Sequence, residues 1–218
     1  MLQIQRMISK YNNSSRNGQK IKYLIFHYTG NKGDTAENNA EHFNKGDKGA
    51  SAHYFVSDKE IYQVVEDDRA AWAVGDGEGR YGITNSNSLN VEMCCWSDGT
   101  VSEKTEKNAL ELGKYLMKKH GISIENVVRH YDASRKICPN WSANNWSRWI
   151  ESKNNLVDKD NASKPVNNPV KGESKLLEEC KNNVLNFGEK GTYVFLAQSA
   201  MKALGLYNGP IDGSYGPA

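Results

Sequence analysis

Two histidines and a cysteine carry the clearest chemistry in this chain. His27 lies at the end of an apolar run, residues 22–28 (KYLIFHY), and His130 at the end of another, residues 126–130 (NVVRH). Cys138 follows eight positions later, within residues 130–138 (HYDASRKIC). Imidazole nitrogen and thiolate sulfur are zinc ligands, and three protein ligands leave the fourth tetrahedral position to water, the pattern of a catalytic site. Spacing alone leaves other readings open. A histidine at a strand end is more often structural or merely exposed, and a lone cysteine is more often a small buried hydrophobe. No close Cys-x-x-Cys pair marks a structural zinc site.

Other residues ask for an explanation. Glu92 is flanked by Val91 and Met93 and sits among Leu89, Cys94 and Cys95. A carboxylate on such a strand is unusual unless it faces a polar site. Lys136, two positions before Cys138, is by default a solvated lysine. His53, in residues 51–56 (SAHYFV), either contacts a substrate or packs within its strand. Trp72 and Trp96 either stack on a ligand or are buried. His42 and His120 read as ordinary helix residues without partners.

These side chains must be held by elements that the pattern predicts. Residues 22–28 read as a buried strand. Asp34 with Glu37 three positions on resembles a capping box, so a short helix is expected over about 35–45. Residues 51–56 and 60–65 bracket a turn and predict a hairpin. Residues 69–74 and 89–96 are further strands, separated by a Gly/Asn/Ser-rich loop at 75–88 in a position to line a substrate groove. Its glycines form no phosphate loop, because no Gly-Lys-Ser/Thr follows. The clearest helix is 103–120, with Ala109, Leu112 and Leu116 on one face and Gly121 ending it. A strand at 126–130 follows, and Trp146, Trp149 and Ile150 then recur at helical spacing. Strands and helices in this order predict an α/β fold with a central mixed β-sheet flanked by helices.

Bulk properties narrow the partners. The 218 residues carry a net charge of +2, which lacks the strong basic excess of a nucleic-acid binder. No segment approaches the ~20 apolar residues of a membrane span, and no signal-peptide run follows Met1. Cys94 and Cys95 are adjacent, a spacing at which direct pairing is strained, and with Cys138 and Cys180 they outline no disulfide framework. A chain made in a reducing compartment is expected.

The separated segments agree in order with one family. His27, residues 51–54 (SAHY), the pair Ala71 and Trp72, the strand residues Asn90, Val91 and Glu92, and His130 with Lys136, Cys138 and Pro139 resemble the zinc-dependent N-acetylmuramoyl-L-alanine amidases, which include phage endolysins, bacterial autolysins and peptidoglycan recognition proteins. The resemblance covers about residues 20–152. It implies one zinc ion per chain held by His27, His130 and Cys138, and hydrolysis of the amide between N-acetylmuramic acid and L-alanine of peptidoglycan. Zinc lowers the pKa of its water toward ~7. The resemblance assigns proton transfer to Glu92 and oxyanion stabilisation to Lys136. It leaves His53 and Trp72 as candidate substrate contacts. Two positions depart from the pattern. Ala52 stands where some branches carry a tyrosine before the position of His53, which shifts weight onto Glu92, and Ala73 stands where many relatives have a histidine.

The expected organisation is a catalytic domain over residues 1–153, a linker over 154–175 rich in Asn, Lys and Ser, and a segment over 176–218 that looks like the front part of a three-helix peptidoglycan-binding domain. That domain type continues past the Gly-Pro turn near Pro217, so the segment is expected either to be truncated or to pack elsewhere, including on a second copy as a homo-oligomer. The expected setting is cytoplasmic synthesis, then action on the wall after release, with no nucleic acid and no membrane insertion. Two alternatives are a non-catalytic peptidoglycan-binding protein of the same fold and an intracellular amidase acting on soluble muropeptides.

Overall fold

The computed structural model describes residues 1–157 and, beyond them, residues 194, 198, 199, 201 and 202, which are helical. The expectations for the linker and the C-terminal segment otherwise lie outside the described residues. The chain divides into two compact units, Met1–Lys159 and Asp160–Ala218. The first carries every candidate site residue.

Its centre is a six-stranded mixed sheet. The strands are β1 (Ile4–Arg6), β3 (Tyr23–Tyr28), β4 (Tyr54–Val56), β5 (Ile61–Gln63), β7 (Ser88–Met93) and β8 (Val127–Arg129), in the spatial order β1-β5-β4-β7-β3-β8. The pairs β3–β7, β3–β8 and β4–β7 are parallel, and the hairpin β4–β5 is antiparallel. A separate antiparallel pair joins β2 (Asn13–Ser15) to β6 (Arg69–Ala71). The helices are α1 (Ala36–Asn44), α2 (Glu103–His120), α3 (His130–Ser134) and α4 (Ala143–Asn154). This is the expected α/β arrangement.

Alternation along the two central strands decides what each face becomes. In β7, Leu89, Val91 and Met93 join Leu24 and Phe26 of β3 in the largest apolar cluster, against Leu112 and Leu116 of α2 and Trp149 of α4. Burying leucines of this kind contributes roughly 1.5–3 kcal/mol each. Gly113 lets α2 approach closely, because a Cβ there meets the Phe26 ring at 2.8 Å. The alternate residues, His27 of β3 and Ser88, Asn90 and Glu92 of β7, point to the other face. There two small apolar clusters, one around Ala36, Ala40 and Phe55 and one around Ile25, Val74 and Ala133, leave a polar strip.

Helix ends follow local chemistry. Ser102 caps α2 by accepting from Thr105 N, and Gly121 closes it at φ 65°. At α1 the cap is Thr35, which accepts from Asn38 N, and not Asp34. The Asp34 carboxylate is taken by Cys95 N at 2.7 Å and Asn39 Nδ2 at 2.6 Å. Three further expectations are corrected. His130 opens α3 instead of ending a strand, and Asn144, Asn145 and Trp146 have left-handed backbone angles, so Trp146 does not share right-handed helical spacing with Trp149. His120 does have a partner, with Nε2 2.8 Å from Asp67 Oδ2.

Candidate metal centre

His27 is the penultimate residue of β3, and His130 directly follows β8, its parallel neighbour. Both sit at the carboxyl ends of parallel strands, where chain direction opens a crevice beyond the sheet in α/β folds. Residues 130–138 then turn back, with Tyr131 N donating to Cys138 O at 3.1 Å, which returns Cys138 to the same spot. The ligand atoms of His27, His130 and Cys138 all lie within 4.8 Å of one another, and all three residues are buried.

The donor set fits a soft divalent cation. His27 Nε2 lies 2.9 Å from Asn90 Oδ1, and His130 Nε2 lies 2.9 Å from Asp76 Oδ1. Both partners are acceptors, so both Nε2 atoms carry the proton and both Nδ1 atoms carry lone pairs. Those Nδ1 atoms face each other at 3.1 Å. Two buried lone pairs so placed repel unless a cation lies between them and the third donor. Burial, then the neighbouring His130, hold the His27 pKa down to about 3. Burial also lowers that of His130 against the opposing pull of Asp76. The Cys138 thiol is pushed up to about 12, first by burial and then by Glu92. Both histidines are therefore neutral, the state that binds metal, and Cys138 stays a thiol because Lys136 only partly offsets the burial that a bound metal ion would overcome.

Glu92 is the register partner of His27 across β3 and β7. Its Oε1 lies 3.7 Å from His27 Nδ1, and its Oε2 is buried without a hydrogen bond. Burial pushes its pKa up to about 8, with Lys136 pulling the other way. An unpaired buried carboxyl oxygen is costly and demands a reason. A groove of about 270 Å³ opens on these atoms, with Tyr28, Trp72, Glu92, His130, Lys136 and Cys138 on its wall. A larger hollow of about 1190 Å³ lies along α2, and of the residues singled out in the sequence only Trp96, which is exposed, lines it.

The structure thus brings His130, Cys138, Glu92, Lys136 and Trp72 to one groove, with His27 buried beside it, its Nδ1 3.1 Å from His130 Nδ1. Trp72 donates Nε1–H to Ser14 Oγ at 3.2 Å, so what it offers the groove is its ring. His53 is not brought there. It is fully buried, its Nδ1 accepts from Asn90 N at 3.1 Å, and its Nε2 lies 3.0 Å from Arg69 O and from Arg16 Nη2. Of the two readings of His53, packing is the one this geometry matches. Two residues that sequence reasoning passed over stand behind the histidines, Asn90 and Asp76. Asn90 was legible as the polar alternate residue between Val91 and Leu89. Asp76 lay in a loop, 75–88, expected to line the groove; none of its residues does so, and Asp76 acts from behind His130 instead.

The sequence profile of the N-acetylmuramoyl-L-alanine amidase family matches residues 17–141, more than half of the chain. The chain belongs to that family. N-acetylmuramoyl-L-alanine amidase CwlA of Bacillus subtilis is 32% identical over 96% of this chain and 83% of its own length. N-acetylmuramoyl-L-alanine amidase CwlL of Bacillus licheniformis is 30% identical over 99% of this chain and 63% of its own. A second Bacillus licheniformis relative is matched over 64% of its length, so the chain spans less than two thirds of these two proteins. Among solved structures, the catalytic domain of XlyA superposes with a TM-score of 0.62 at 32% identity, over 72% of this chain and all of that one. A mutant endolysin from Bacillus subtilis superposes equally well at 34% identity. These structures share the mixed sheet flanked by helices. Among the described residues, no helix of this family member is long and apolar enough to cross a membrane.

Proposed function

We propose that this protein hydrolyses the amide between N-acetylmuramic acid and L-alanine in peptidoglycan, with His27, His130 and Cys138 holding one zinc ion. The observation that carries the proposal is the convergence of three metal-ligand atoms within 4.8 Å of one another beside a groove whose wall carries Glu92 and its unpaired buried carboxyl oxygen. The names of the relatives, amidases of Bacillus, supply the substrate.

Zinc in such a site acts as a Lewis acid and makes water nucleophilic near neutral pH. The protein's own groups divide the rest. Glu92 accepts the proton of the attacking water and delivers it to the leaving nitrogen, so that the products are the lactyl carboxylate and a free L-alanine amine. A carboxyl group held near neutrality by burial suits both halves of that transfer. Lys136, exposed on the rim, places its ammonium beside the oxyanion that forms on the carbonyl. Trp72 gives the groove an apolar wall for the substrate.

The likeness to an endolysin of Bacillus subtilis supports a lytic role on the wall after release from the cell. The domain organisation proposed with it is a catalytic unit over 1–153, a linker over 154–175 and a wall-binding segment over 176–218. The test is digestion of purified sacculi followed by mass analysis. New L-alanine amino termini are expected. Binding without new termini contradicts the enzymatic reading and leaves a recognition protein, and cleavage of soluble muropeptides but not sacculi contradicts the lytic role.

A further inference from the structure

Each of the two histidines in the metal centre is gripped from behind, and the grips differ. His27 Nε2 meets the side-chain oxygen of Asn90 at 2.9 Å, and His130 Nε2 meets a carboxylate oxygen of Asp76 at the same distance. Asn90 cannot turn its amide over freely. Its Nδ2 faces Ser88 Oγ at 3.3 Å and the His53 ring at 3.5 Å, which leaves Oδ1 for His27. His53 is in turn fixed, with Nδ1 accepting from Asn90 N and Nε2 donating to Arg69 O. Orientation therefore passes from the carbonyl of Arg69, a surface residue, through His53 and Asn90 to His27, the last three all buried.

The other grip comes from a loop. Asp76 rides on the turn Gly75–Gly77, which lies so close to α3 that a Cβ on Gly77 meets Ala133 O at 2.2 Å. Glycine at that position is what lets the Asp76 carboxylate reach the Nε2 edge of His130, three residues before Ala133.

We propose that Asn90 and Asp76 are positioning residues that turn the Nδ1 atoms of His27 and His130 toward one metal ion, and that Asn90 is the more demanding of the two. This rests on the metal reading above. A ligating histidine needs its distal N–H held, and loss of the holder costs roughly 10–100-fold in metal affinity. The ranking follows from solvent. The Asp76 side chain is 46% exposed, so water can take its place at His130 Nε2. Asn90 is fully buried, and no water replaces it.

The experiment strips the full chain of metal and measures affinity for zinc and for cobalt by competition with a chromophoric chelator, alongside the cobalt absorption spectrum. Asn90→Leu is expected to weaken binding about 10–100-fold and Asp76→Ala by less than about 10-fold. Asn90→Asp, whose oxygen still accepts from His27 Nε2, is expected to recover most of the loss. Circular dichroism of the metal-free variants shows whether each folds, and if Asn90→Leu does not, the comparison of Asn90→Asp with Asp76→Ala and wild type carries the test. Folded Asn90→Leu and Asp76→Ala that bind like wild type overturn the proposal, and a larger loss in Asp76→Ala than in Asn90→Leu overturns the ranking. A wild-type chain that takes up neither metal overturns the metal reading and the proposal with it.

Discussion

Glu92 stands beside His27 as its register partner in two adjacent parallel strands, with Oε1 3.7 Å from His27 Nδ1. The pairing is a direct product of strand alternation. Any register that buries Leu89, Val91 and Met93 against α2 sends Ser88, Asn90 and Glu92 to the opposite face, where His27 also points. The same apolar packing that holds the sheet together thereby places a carboxyl group next to a candidate ligand.

Replacing Glu92 by Gln keeps the shape and removes the proton acceptor. Zinc content should stay near that of wild type while turnover on peptidoglycan falls about 10²–10³-fold. Elemental analysis beside a rate measurement checks both halves. A near-normal rate removes Glu92 from the mechanism.

Cys138→Ser and His130→Ala should each lose both zinc and activity, since two remaining ligands and a buried polar gap hold the ion poorly. Metal analysis after dialysis checks this. Retention of a full equivalent of zinc in either variant contradicts the ligand set.

Gly77→Ala should move the Asp76 turn away from α3, because the added methyl would lie 2.2 Å from Ala133 O. The expected cost in stability is about 1–3 kcal/mol, read from urea unfolding, together with weaker zinc binding. Wild-type stability would mean that the turn is displaced without strain.

Acid should destabilise the protein through His53. Burial first, then the charge of Arg16 and that of His120, hold its pKa down to about 4, against the pull of the Arg69 carbonyl and Asp67. The ordinary value is 6.5. Between those limits the unfolded chain binds a proton that the folded chain refuses, so stability is full above about pH 6.5 and falls as pH drops toward 4. The largest loss from this group is about 3 kcal/mol. Urea unfolding of metal-free protein at pH 7.5 and pH 4, wild type against His53→Gln, isolates it. Equal losses in the two proteins would show that His53 does not titrate this way.

What the sequence disclosed and what it hid have physical reasons. The run around His27 and the amphipathic α2, with Ser102 before it and Gly121 after, carry local signals strong enough to read directly. The α1 cap was misplaced by one residue because Asp34 satisfies the same motif, yet its carboxylate is claimed by Cys95 N, from the segment just past the end of β7. Asp76 was invisible as a partner for His130 because nothing local in a glycine-rich loop announces a contact with a helix 54 positions away. His53 looked chemical by type. Only the fold shows both its nitrogens spent on Asn90 N and Arg69 O.

The proposed mechanism requires zinc held by His27, His130 and Cys138 for cleavage of the muramoyl–alanine bond. The most direct measurement titrates metal-free protein with zinc while following the release of L-alanine amino termini from purified peptidoglycan. Activity should be absent without metal and rise to a plateau at one zinc per chain. Full release of those termini by protein shown to be free of metal would contradict the account.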